Sequence, residues 1–85
     1  MYTIVLDKKH HKAIEKLSRV DQARVYTHLK ELEADPRPPG KKIKRFHGIA
    51  HGYCLRIGSI RVIYSVDDAG KRVLVIDIGY RGDIY

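Results

Sequence analysis

The sequence predicts an α+β domain of order β-α-α-β-β-β, an antiparallel twisted sheet with a helix pair packed on one face. Three observations predict it. Two alternating runs, Tyr53 to Ile57 and Ile60 to Tyr64, flank Gly58-Ser59, the signature of a tight hairpin. Two helical stripes precede them, joined by almost no linker. A β-branched apolar run, Val73 to Gly79, follows them.

Taken in order, Tyr2 to Leu6 reads as a short strand, rich in β-branched residues. Asp7 can cap the next helix, where Ala13, Ile14 and Leu17 share one stripe. His10 and His11 fall outside that stripe and are expected to face solvent. Ser18 to Asp21 resembles a capping box opening a second helix. Val25, Leu29 and Leu32 recur at i, i+4 and i+7, with Tyr26 alongside. Asp35-Pro36 ends that helix, because a residue before proline avoids the helical region.

Pro36 to Lys42 is a stiff basic connector. Ile43 to His47 starts a strand, with Ile43 and Phe46 as core anchors. His47 and His51 stand four apart, but Gly48 and Gly52 argue against the helix a metal pair would need. No metal site and no cofactor is expected. A two-residue turn at Gly58-Ser59 pairs Tyr53 with Tyr64, Leu55 with Val62 and Ile57 with Ile60 on one side. The other side carries Cys54 opposite Ile63 and Arg56 opposite Arg61. Asp67 to Lys71 is a turn, and its carboxylates are turn formers first. Val73 to Gly79 is expected at the centre of the sheet, and Tyr80 to Tyr85 closes the chain.

Eighty-five residues make one domain, 1–85, whose small core must be well patterned. The single cysteine, Cys54, cannot form an internal disulfide, which fits a cytoplasmic protein. The apolar runs are too short to span a bilayer, and the first residues lack a signal peptide's basic region. No membrane partner is expected.

Net charge is +7 and unevenly placed. From Pro36 to Val66 there is no Asp or Glu, but there are Arg37, Lys41, Lys42, Lys44, Arg45, Arg56 and Arg61. The rest of the chain balances, which assigns the excess to the hairpin and its approach. Such a patch reads as a polyanion footprint, with Lys41, Lys42, Lys44 and Arg45 as its binding candidates. Arg56 directly across from Arg61 repels it and weakens the sheet. Either an anion sits between them in the working protein, or both are solvated and splayed. With the other hairpin face under the helices, the two arginines point to the open concave side. Arg81, two residues past Gly79, is expected to reach the same face.

These residues resemble a known family. Tyr-x-Leu-Arg-Ile-Gly-x-x-Arg-Val-Ile-Tyr, then Asp-Asp, then an apolar strand ending Gly-Tyr-Arg-Gly-Asp-Ile-Tyr, looks like the RelE/ParE toxin superfamily. The resemblance covers nearly the whole chain and is most specific in the C-terminal half. It implies a RelE-like fold and the toxin of a type II toxin–antitoxin pair, an mRNA interferase with a RelB-like antitoxin as partner. Such toxins enter the ribosomal A site and cut mRNA without a metal, the ribose 2′-hydroxyl attacking the adjacent phosphate. By that resemblance Arg56 helps activate the 2′-hydroxyl and Arg61 neutralises the scissile phosphate. Arg81 stabilises the transition state or protonates the leaving oxygen, and Tyr85 stacks near the nucleotide.

The sequence departs from the family pattern at Cys54, where many members place a lysine or arginine, and at Tyr80, where many have histidine or lysine. No C-terminal helix is expected to follow Tyr85. Two other readings stand beside the nuclease. One is a ParE-type inhibitor of DNA gyrase on the same fold, against which the three arginines count. The other is a non-catalytic RNA- or ribosome-binding module.

Overall fold

The computed structural model describes residues 1–40 and 42–84, the last two as backbone only. Its order is β1 (Thr3–Val5), α1 (Lys8–Glu15), α2 (Arg19–Ala34), β2 (Ile43–Arg45), β3 (Gly52–Ile57), β4 (Ile60–Asp67), β5 (Arg72–Tyr80) and a short α3 (Arg81–Ile84). The five strands form one sheet in the order β1-β5-β4-β3-β2. β2 to β5 are the expected antiparallel meander. β1 instead runs parallel to β5, pairing Ile4 with Val73, so the sheet is mixed. The central strand is therefore β4, and the apolar β5 lies one place off centre. A short helix, α3, also forms at Arg81–Ile84, a segment for which the sequence pattern assigned no element.

The β3–β4 hairpin has the register its turn dictates: Tyr53 with Tyr64, Leu55 with Val62, Arg56 with Arg61 and Ile57 with Ile60. Gly58 takes φ 59°, the left-handed conformation that favours glycine at the first turn position. Its inward set, Leu55, Ile57, Ile60, Val62 and Tyr64, is buried against Ile14 and Leu17 of the first helical segment and Val25, Leu29 and Leu32 of α2. Each such side chain stabilises by roughly 1.5–3 kcal/mol before entropy is subtracted. Tyr64 is fully buried, and its hydroxyl donates to the Pro36 carbonyl at 2.7 Å. Burial pushes its phenol well above the usual range, with Tyr53 beside it adding to the shift.

A bulge re-phases β5. Ile63 pairs with Asp77, but Tyr64 pairs with Val75, so Ile76 is the extra residue. Before the bulge Val73 and Val75 face the core; after it Ile78 and Tyr80 do. Asp77 and Gly79 are thereby turned to the opposite face, and Gly79 lies directly across from Arg61.

His10 anchors the bulge. Contrary to expectation it is only 4% exposed. The Asp7 backbone N–H donates to its Nδ1 at 3.0 Å, which leaves Nε2 to donate to the Ile76 carbonyl, also at 3.0 Å. The residue thus closes half of a capping box and ties α1 to the irregular point of β5. Its sequence position, four before Ile14 and seven before Leu17, belonged to the apolar stripe after all.

Candidate functional site

The face of the sheet away from the helices carries a cleft of about 560 Å³. Lys42, Lys44, Arg45, Phe46, Cys54, Arg56, Arg61 and Arg81 line it. Six of these eight carry a positive charge and none is acidic. Strand register explains the convergence. Lys44 stands beside Cys54, two residues from Arg56, and Arg56 stands across from Arg61. Gly79 puts no side chain beside Arg61 on the next strand.

Arg81 arrives by a separate device. Its backbone N–H donates to the Ser59 carbonyl at 2.8 Å, clipping the end of β5 to the hairpin turn. Since β5 was re-phased at Ile76, the residue after Tyr80 returns to the open side. The three arginines read from the sequence are thus brought together, on the face predicted for them.

Arg61 is held in place before any ligand arrives. Its Nη1 donates to the carbonyls of Gly58 at 2.7 Å and Ile60 at 2.9 Å. A guanidinium has five N–H donors, so Nε and Nη2 keep theirs for another acceptor. Those two atoms form the side of the fork that suits a phosphate or carboxylate. Among the described residues the ion pairs are Asp21–Arg24, Asp68–Arg37 and Asp67–Arg72, all outside the cleft. Among the described residues no acid faces the cleft's charge, and a polyanion is the chemistry that would offset it.

Other expected residues sort differently. Lys42 and Lys44 are exposed on the cleft wall; Arg45 borders it, but its guanidinium lies 5.7 Å from the ring centre of Tyr53, its cross-strand partner on the helix-facing side. Lys41 and Tyr85 lie outside the described residues. Arg37 belongs elsewhere: it donates to Asp68 at 3.0 Å and sits 5.9 Å from the Tyr53 ring centre. Tyr80 faces the helices rather than the cleft, and its hydroxyl donates to Asp21 at 3.0 Å. That departure from the family pattern thus has a structural use, joining β5 to the start of α2.

Two cleft residues were not foreseen as site residues. Phe46, expected in the core, is half-buried and forms part of the wall with the buried Cys54. The register of Lys44 against Cys54 was the signal, but it could be read only once β2 was placed.

Fold and site together define a small α+β protein with an arginine-rich, acid-free cleft on its open sheet face. Solved structures similar to it include RelE toxins. The RelE–RelB complex of Pyrococcus horikoshii matches at a TM-score of 0.84 and 28% identity, over 95% of this chain and 96% of that one. The isolated Escherichia coli RelE toxin matches at 0.78 and 23%, over 94% and 84%. A metal-bound toxin from Helicobacter pylori matches at 0.78 and 16% over the full length of both. No family model matches the sequence, and no curated protein does. By its structure the chain falls in the RelE-type toxin superfamily, as its C-terminal half suggested.

Proposed function

We propose that this chain is the toxin of a type II toxin–antitoxin pair and acts as a ribosome-dependent, metal-independent mRNA endonuclease. The observation that carries the reading is the gathering of Arg56, Arg61 and Arg81 in one acid-free cleft. The toxin role also draws on the likeness to RelE proteins crystallised with RelB.

In the reaction the ribose 2′-oxygen bonds to the adjacent phosphorus while the bond to the 5′-oxygen breaks. The products are a 2′,3′-cyclic phosphate and a 5′-hydroxyl, and the proton leaving the 2′-hydroxyl is balanced by one delivered to the 5′-oxygen. Negative charge accumulates on the phosphate oxygens midway. Arg61, braced on the turn carbonyls, offers Nε and Nη2 to those oxygens at no further ordering cost. Arg56, from the paired strand, approaches the attacking oxygen, and Arg81 the leaving one.

A guanidinium stays protonated, so Arg56 acts as a donor rather than a base. His47 and His51 are exposed in the loop after Phe46 and do not line the cleft. Water or a ribosomal group is left to take the proton. Lys41, Lys42, Lys44 and Arg45 hold the flanking backbone, and Tyr85 stacks near the nucleotide. The cognate antitoxin covers or distorts the same face with an acidic or helical segment.

The test adds the purified chain to a translating extract and maps transcript ends by primer extension. Cuts that appear only when ribosomes translate, and that persist in EDTA at levels sparing the ribosome, are expected. Intact transcripts under growth-inhibiting conditions would reject the reading. A parallel gyrase supercoiling assay separates it from the ParE-type alternative.

A further inference from the structure

The geometry points to the lysine face of α1 as a second docking surface for an RNA phosphate backbone, continuous with the arginine cleft across the end of β5. The inference rests on the RNA reading above and extends it to a face that reading does not use.

The charge count from sequence concealed this surface. Outside residues 36–66 the chain balances, but only as an average. From Lys8 to Arg19 there are five basic residues, Lys8, Lys9, Lys12, Lys16 and Arg19, against the single acid Glu15. Of the compensating acids only Asp7 stands beside this stretch, at the helix's N-terminal end; the others fall on α2 and its end, in the β4–β5 turn, and at positions 77 and 83. Lys9, Lys12 and Lys16 fall at i, i+3 and i+7, one side of the helix, and all are exposed. They rim a groove of about 540 Å³ whose floor is Ala13, Leu17, Ile78, Gly79 and Tyr80. Among the described residues none of the three is in an ion pair.

Two arguments choose the occupant. Leu17 and Ile78 are already 6% and 4% exposed, so an apolar segment laid over them would remove little further surface from water. The attraction on offer is ionic, which favours a polyanion. Position then favours RNA: Gly79 belongs to this groove and pairs with Arg61, and Arg81 lines the cleft on the other side. A strand leaving the cleft past the end of β5 meets the lysine row next. From Lys9 to Lys16 is about 10 Å along the helix. That span takes a short run of consecutive phosphates, about one for each lysine.

The experiment compares the full chain with a Lys9→Gln/Lys12→Gln/Lys16→Gln variant, which keeps the stems and helix propensity. Binding of a labelled single-stranded RNA of about 20 nucleotides, and of one of about six, is followed by fluorescence anisotropy across salt. Three lost phosphate contacts make the log–log salt slope shallower by about 2 on the long RNA. The loss of affinity between 50 and 200 mM salt then shrinks roughly sixteen-fold, while the short RNA binds both proteins alike. An unchanged slope on the long RNA, with binding still sensitive to Arg61→Ala, overturns this inference and leaves the RNA reading standing. Failure of the unmodified chain to bind either RNA overturns both. Loss of polyglutamate binding without loss of RNA binding assigns the face to an acidic protein and overturns the inference too. Matching circular dichroism spectra and melting midpoints establish that the variant is folded.

Discussion

Leu55 and Arg56 are neighbours on β3, and Arg61 and Val62 are neighbours on β4, yet each pair is split between two environments. Leu55 and Val62 are 2% and 0% exposed beneath the helices. Arg56 and Arg61 face each other across the open side, with no acid lining their cleft among the described residues. The inner face is held by many mutually supporting contacts. The outer face places like charges opposite one another, which costs stability. Such an arrangement persists when the inner face over-determines the strand register, and it makes sense if a ligand supplies the missing charge. The contrast separates what folds the hairpin from what the hairpin presents.

The sharpest way to break that division is to truncate one residue from each side. Leu55→Ala leaves a cavity under the helices and is expected to cost about 2–5 kcal/mol in urea unfolding. Arg61→Ala removes a repulsion but also two hydrogen bonds to turn carbonyls, so the unfolding midpoint is expected to move little. In the ribosomal cleavage assay it should lose about 10²–10³ in rate, the usual cost of one preorganised donor. A destabilised Arg61→Ala, or a Leu55→Ala that melts like the parent, would show that the faces are not functionally distinct.

A smaller effect probes the edge of the inner face. Tyr64→Phe keeps the buried ring and its stacking on Tyr53, 5.7 Å away, but strands the Pro36 carbonyl. A buried acceptor left unpaired costs about 1–3 kcal/mol, and the loss should appear in the same urea titration with cleavage unaffected. Equal loss of cleavage would mean that the connector after α2 is coupled to the cleft.

How legible each face was follows from its pattern. The hairpin register could be read because a Gly-first turn and a period of two leave one pairing that buries all the apolar residues. The arginines' side followed from it. The bulge at Ile76 could not be read, since every position from Val73 to Ile76 is apolar and alternation is invisible in such a run. Arg81 could not be placed by alternation: without the bulge, the phase of Val73 and Val75 would carry residues 79 and 81 to the helix side, so its expected position rested on strand order alone. The parallel pairing of β1 depends on contacts between the two ends of the chain, which no local pattern encodes. His10 was misread because polarity was weighed above position; both of its ring nitrogens are satisfied inside the fold.

The β4–β5 turn offers the opposite of the cleft, and the finest comparison. There the carboxylates are paired: Asp67 accepts from the Gly70 N–H and from Arg72, and Asp68 from the Tyr2 hydroxyl and from Arg37. The Gly70 N–H, then Arg72, hold Asp67 below the usual aspartate range; the Tyr2 hydroxyl, then Arg37, do the same for Asp68. A carboxyl depressed in the folded state stabilises above its unfolded value, ~3.9, and that contribution fades as pH falls through the folded value. The unfolded chain takes up protons first, so the melting midpoint should fall as pH drops below about 4. Asp68 is exposed and Asp67 half-exposed, so the effect is small and weakens with salt. At the alkaline end the Tyr2 phenol is raised, chiefly by its hydrogen bond to Asp68, so its contribution is present below ~10 and lost above. An Asp67→Asn/Asp68→Asn variant should flatten the acid limb of the melting profile while leaving the cleft's cleavage rate untouched. A steep acid limb that survives in this variant would place the chain's acid sensitivity elsewhere and remove the turn as the cleft's electrostatic counterpart.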